Sequence, residues 1–221
     1  MLLPRPTKAP LPSLIPNNLP REDPSALIAG VDEAGRGPWA GPVVAAAVIV
    51  RRPFDVRIDD SKRLSPLQRL KAFEAIRRHA GVGVGIVDAP AIDKINILQA
   101  TLLAMRFAVG NLPVTPTRVL VDGMHVPQIA VPSEAIIGGD HLNYAISCAS
   151  IIAKVIRDDL MAFYHRIFPQ YRFDVHKGYG TALHRQLLME HGPCALHRMS
   201  FEPIASLSAC VRKEGEYAGS V

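Results

Sequence analysis

Apolar positions along this chain follow two periods. Residues 26–31 run unbroken into Asp32 and Glu33, and residues 43–50 are nearly all β-branched or alanine; runs of this kind read as buried strands. The short Gly- and Pro-rich connection between them favours an antiparallel hairpin. Val82, Val84 and Ile86 alternate with glycines as a third strand, and residues 117–121 and 134–137 form two shorter ones. Helical spacing fills the intervals. Ser65-Pro66 opens a helix whose face of Leu67, Leu70, Phe73 and Ile76 belongs against a sheet, with Lys71, Arg77 and Arg78 elsewhere. Ile95, Leu98, Leu102, Met105 and Ala108 mark a helix over residues 92–109 that Gly110-Asn111 stops. A long helix spans residues 143–167, Thr181 caps a last one ending at Gly192-Pro193, and the tail after Ala205 carries no clear pattern.

Strands joined by a hairpin, then strands alternating with helices, describe an α/β protein: a mixed sheet with helices on its faces. Such sheets place sites at strand ends, and here those ends are acidic. Asp32-Glu33 follows the first strand, Asp122 the fourth, and Gly138-Gly139-Asp140 the fifth. Singly, Asp122 before Gly123 is a turn residue and Asp140 a helix cap; recurrence after three apolar strands makes one shared carboxylate site the better account. The stretch Asp32-Glu33-Ala34-Gly35-Arg36-Gly37-Pro38 adds a glycine-flanked arginine, whose backbone N–H groups and guanidinium suit an anion. Carboxylates are hard oxygen ligands for Mg²⁺ or Mn²⁺, so metal-assisted phosphate chemistry is the expectation.

The long helix carries a polar stripe. Ser147, Ser150, Lys154 and Asp158 recur at three- and four-residue intervals beside an apolar face of Ala145, Ile146, Ala149, Ile152, Ala153 and Ile156. Lys154 and Asp158 either face the carboxylates as outer groups or satisfy each other as an i,i+4 pair.

The 221 residues, 48% hydrophobic, suffice for one domain with short extensions. A net charge of +5 is compatible with a polyanionic partner. Seven of the 19 prolines fall within residues 1–24, so residues 1–25 are expected to be an extended leader, 26–205 the catalytic domain and 206–221 a tail. Cys148, Cys194 and Cys210 lack metal spacing and are expected to be reduced. With no membrane-length apolar run and no secretory signal, a cytoplasmic protein without membrane association is expected. His176, His184, His191 and His197 form no zinc pattern and read as surface or core-edge residues; Trp39 is expected to fill the hairpin.

At this point the chain closely resembles the ribonuclease HII family, the type 2 ribonucleases H, in its bacterial branch. The resemblance rests on residues 32–38, Asp60-Ser61-Lys62, Val121-Asp122-Gly123, Gly139-Asp140, residues 149–158, His176-Lys177-Gly178-Tyr179-Gly180-Thr181 and the ending from Gly192-Pro193-Cys194 to His197-Arg198-Met199-Ser200-Phe201. It covers about residues 27–203, in order. It implies a ribonuclease H-like mixed five-stranded sheet flanked by helices. It also implies a metal-dependent endoribonuclease acting on RNA–DNA hybrids and on DNA duplexes containing single ribonucleotides, leaving 3′-hydroxyl and 5′-phosphate ends. Asp32, Glu33, Asp122 and Asp140 stand where the family has its metal-binding catalytic acids, which would hold two divalent cations, Mg²⁺ or Mn²⁺, roughly 4 Å apart. Gly35, Arg36, Gly37 and Tyr179 stand where it reads the 2′-hydroxyl and the following deoxyribose. Ser61, Lys62 and Lys177 are expected phosphate contacts, and a monomer is expected.

Two rival classes fit less well. A resolvase- or transposase-like nuclease would share the acids but lack the Gly-Arg-Gly and Lys-Gly-Tyr-Gly pairing. A non-catalytic binder would suffer from four acids beside phosphate.

Overall fold

The hairpin forms as the pattern predicts. β1 (Ile28–Ala34) pairs antiparallel with β2 (Val43–Ile49), and β2 with β3 (Gly81–Val87). On the other side β1 runs parallel to β4 (Arg118–Asp122), and β4 parallel to β5 (Ser133–Ile136). The result is one mixed sheet of five strands in the order β3-β2-β1-β4-β5. The computed structural model describes residues 26–207; the expected leader, 1–25, and residues 208–221 of the expected tail lie outside the described residues. Cys148 and Cys194 are free thiols, and Cys210 is outside that range.

Helices cover both faces, so the central strands are apolar on both sides. On one face lies α2 (Ala89–Gly110), burying Ala100, Ala104, Met105 and Ala108 against Val31, Val43, Ala45, Ala47 and Val121. On the other lie α1 (Pro66–His79) and α4 (Tyr144–Ile167), where Ala46, Val48, Ala72, Ile76, Cys148, Ala149 and Ile152 form a second core. The alternating glycines of β3 have a packing reason: a Cβ on Gly83 or Gly85 would come within 2.1 Å or 2.0 Å of a carbonyl oxygen of α2. Glycine lets the helix lie directly on the strand.

Helix boundaries follow their caps. Ser65 and Gln68 form a reciprocal capping box at α1, Asn143 caps α4, and Thr181 caps α6 (Ala182–His191). Three details depart from expectation. In α1 the buried positions are Ala72 and Ile76, while Leu67 and Leu70 are exposed, because the helix docks against α4 through its later turns instead of lying flat on the sheet. In α2 the backbone breaks at Asn96, whose positive φ interrupts the helix and whose side chain accepts a hydrogen bond from the Gln99 amide, restarting it. Between β5 and α4 a one-turn helix, α3 (Gly139–Leu142), takes up the Gly-Gly-Asp stretch. A 3₁₀ turn (Pro169–Tyr171) and the short α5 (Phe173–His176) follow α4.

Candidate active site

β1 does not stop before its acids but carries them in its last residues, Asp32 opposite Ala46 and Glu33 opposite Ala45 of β2. Successive strand side chains point to opposite faces, so Asp32 turns toward α4 while Glu33 does not. The parallel register sets Val31 beside Val121, which puts Asp122 next to Asp32. Asp140 arrives in the first turn of α3. Carboxylate oxygens of Asp32, Asp122 and Asp140 lie within 4.8 Å of one another. Glu33 stands at the rim, its Oε1 3.3 Å from Nη1 of Arg36. Of the four acids expected in one place, strand periodicity brings three together and sets the fourth beside them.

The surroundings hold these groups in place. The Glu33 amide donates to Oδ1 of Asp32 at 2.7 Å, and the Gly139 amide to Oδ1 of Asp122 at 2.7 Å. Ser147 Oγ donates to the Asp140 carbonyl, and the Ser150 hydroxyl nearby favours the ionised form of Asp32. The upper half of the polar stripe on α4 therefore faces the acids. Burial, then Glu33 and Asp122, push the Asp32 carboxyl well above its ordinary range. Burial also raises Glu33, partly offset by Arg36, and raises Asp140, where Asp122 adds repulsion and His141 opposes it. Three half-desolvated carboxylates at such distances repel unless a cation lies between them, and an all-oxygen donor set fits a hard divalent ion.

The other expected site residues divide. Ser61 is buried with its hydroxyl 3.0 Å from that of Ser150, so it braces the acid cluster and does not reach outward. Lys62 is exposed next to it, its amide held by Asp60. Gly37 and Arg36 are exposed, and Gly35 is buried. Tyr179 is exposed, its ring 5.8 Å from Nζ of Lys154; Lys177 is half-buried just before it. Lys154 and Asp158 pair with each other at 2.8 Å. Trp39 is half-buried, with Arg185 and His184 both against its ring, and its amide donates to the Gly178 carbonyl.

Several residues outside the expected set also shape the site. Asp60 and His141 gather with Asp140 in a second oxygen- and nitrogen-bearing group at the edge of the acids. Arg157 and Arg198 are fully buried. Arg157 had a signal: it continues the buried i+4 row Ala149, Ala153, Arg157, Met161. Arg198 had none. The histidines need correction, for His176, His184 and His197 are buried and only His191 is at the surface. His176 and His184 stack at 4.1 Å, and the Nε2 atoms of His184 and His197 lie 3.1 Å apart. Neutral tautomers satisfy this chain. His184 Nδ1–H donates to the Tyr179 carbonyl, His197 Nε2–H donates to His184, and His197 Nδ1 accepts from the Cys194 amide. Burial holds His184 and His197 down to about 4.

A mixed five-stranded sheet with helices on both faces and converging carboxylates at its strand ends defines a metal-dependent nuclease of the ribonuclease H fold. The family model described as Ribonuclease HII matches residues 29–204. A ribonuclease HII from Syntrophus aciditrophicus is 52% identical over 183 residues, 82% of this chain and 86% of that one. Among solved structures, the ribonuclease H2 of Pyrococcus horikoshii OT3 is similar with a TM-score of 0.71 and 26% identity, over 84% of this chain and 99% of that one. The Bst-RNase HIII in complex with Mn²⁺ shares the fold, with a TM-score of 0.69 at 18% identity over 86% of this chain and 71% of that one. The chain belongs to the ribonuclease HII family, and it is a metal-dependent ribonuclease.

Proposed function

We propose that this enzyme cuts the RNA strand of RNA–DNA hybrids and nicks duplex DNA on the 5′ side of a single embedded ribonucleotide, with Asp32, Glu33, Asp122 and Asp140 as its catalytic metal-binding acids. The observation that carries this is the approach of three carboxylates to within 4.8 Å directly beside the Gly35-Arg36-Gly37 turn. Two divalent cations, Mg²⁺ or the Mn²⁺ named for the structural relative, would lower the pKa of the attacking water and stabilise the leaving 3′-oxygen.

The chain's own residues do the rest. Asp32, Asp122 and Asp140 hold their oxygens on fixed strand and helix ends, so little reorganisation is needed when phosphate arrives. Glu33, steadied by Arg36, supplies a fourth carboxylate at the rim. Lys62 and Lys177 offer charge to the sugar–phosphate backbone without reading sequence. The Ser61 hydroxyl serves Ser150 instead. Discrimination falls to the 2′-hydroxyl, the local mark of RNA, read by the amides of the Gly-Arg-Gly turn and by Tyr179, whose ring lies against the following sugar. Hydrolysis breaks the bond between phosphorus and the 3′-oxygen, leaving a 3′-hydroxyl and a 5′-phosphate. Lys154 and Asp158, paired with each other, border Tyr179 as an outer charge pair. The same reading has the enzyme acting as a monomer in the cytoplasm.

The test is a duplex carrying one ribonucleotide, incubated with Mg²⁺, with Mn²⁺ or with chelator, and mapped at nucleotide resolution. A single metal-dependent nick 5′ of the ribonucleotide is expected. Equal cutting of an all-DNA duplex, or cutting that survives chelation, would defeat the reading.

A further inference from the structure

Arg157 and Arg198 are buried without any exposure, and among the described residues neither forms an ion pair. A buried guanidinium is costly unless its donors are satisfied, and here the acceptors are all backbone carbonyls. Arg157 donates to Pro42, Lys177 and Ala40 at 3.1, 3.0 and 3.2 Å. Arg198 donates to Gly41 through Nε and Nη2, to Arg36 at 2.8 Å and to Gly35. Only a planar fork with five donors spans so many carbonyls at once.

These bonds set the direction of amides. In a trans peptide the C=O and the following N–H point opposite ways. Pulling the Gly35 carbonyl inward therefore turns the Arg36 N–H outward, and pulling the Arg36 carbonyl inward does the same for Gly37. Among the described residues neither amide has an intramolecular acceptor. The turn needs a glycine at 35, where φ is +96° and a Cβ would sit 2.0 Å from Nε of Arg157. The second loop is tied to the same framework. Trp39 donates to the Gly178 carbonyl at 2.8 Å and accepts from the Arg198 amide at 2.8 Å, while Arg157 holds the Lys177 carbonyl and lies 5.6 Å from the Tyr179 ring centre.

We propose that Arg198, with Arg157, is a positioning residue for ribonucleotide recognition, drawing the carbonyls of residues 35–42 inward so that the Arg36 and Gly37 amides face the 2′-hydroxyl. This rests on the proposed reading of the Gly-Arg-Gly turn. Its effect lies in discrimination, not in metal binding or general duplex affinity.

The experiment compares binding, in chelator, of a duplex with one ribonucleotide and the same all-DNA duplex to the wild type, Arg198→Lys and Arg198→Met. The wild type is expected to prefer the ribonucleotide. Arg198→Lys, which keeps the charge but not the fork, is expected to lose about 10-fold of that preference, the scale of one or two amide hydrogen bonds, with all-DNA affinity unchanged. Emission from Trp39, the protein's one tryptophan, is expected to shift in both variants as the loop loosens. A preference retained by Arg198→Lys would overturn the proposal, as would failure of that variant to fold, since Arg198 would then be a pillar of the fold. Absence of preference in the wild type would instead remove the reading of the turn itself.

Discussion

Asp32 and Asp122 stand on neighbouring parallel strands whose register sets their ends side by side, whereas residues 35–42 and 177–180 have almost no ladder of their own. The acids inherit their positions from the most regular part of the molecule, between two apolar cores. The loops are shaped by buried polar side chains: Arg157 and Arg198 hold carbonyls of the first, and His176 and His184 hold the Gly178 amide and the Tyr179 carbonyl of the second. On the proposed reading, cleavage chemistry would rest on rigid strand ends and selectivity on segments fixed by side-chain-to-backbone hydrogen bonds. The two functions should respond separately to mutation.

The largest separation is expected for Asp122→Asn. Turnover on hybrid substrates should fall by more than roughly 10²-fold, the scale of losing one electrostatic stabiliser, while duplex affinity and melting temperature hold. Normal metal-dependent turnover in this variant would break the division at its acidic side. Tyr179→Ala should reduce cleavage at a single ribonucleotide about 10-fold, the scale of one lost sugar or base contact, with a smaller loss in general duplex affinity. Equal losses would show that the tyrosine only holds the duplex.

Acid should affect the loops through the histidines. His184 and His197 are held at about 4 by burial, below the unfolded value near 6.5. Their contribution to stability is therefore fully present above about pH 6.5 and is lost as pH falls through the folded values near 4. The melting temperature should drop across that window by several degrees, and less so in His184→Gln; identical pH profiles for the two proteins would contradict the neutral network. The smallest effect is expected from Lys154→Ala, which removes a pair with Asp158 that is worth about 0.5 kcal/mol. A change under about 3-fold in turnover would leave Lys154 outside the chemistry, and a larger loss would bring it in.

The same contrast explains what was legible in the sequence. Strands ending in acids, the helix starts at Ser65 and Thr181 and the polar stripe of α4 are local or periodic signals, and all appear in the fold. Glu33 differs from its neighbour in a way the motif alone does not carry: adjacent residues of a strand face opposite sides, so β1, running through its acids, sets Glu33 beside the other three and against Arg36. Leu67 and Leu70 share the apolar face of α1 yet are exposed, because helical period identifies a face but not which turns reach a neighbour. The Asn96 break has no breaker residue to announce it. Arg198 bonds carbonyls 157 and 163 residues away, and a contact of that span with the backbone leaves no trace in side-chain pattern. The burial of His184 and His197 is equally invisible in the pattern, since their partners are one another and the main chain.

The most direct test of the central claim is a Mn²⁺ titration, followed by calorimetry at several pH values, of the wild type and Asp122→Asn. If Asp32, Asp122 and Asp140 converge to hold a cation, Mn²⁺ should bind the wild type, and acid should weaken that binding because carboxyls must ionise to become ligands. Asp122→Asn should bind at least about 10-fold more weakly. Equal Mn²⁺ affinity in the two proteins would contradict the account.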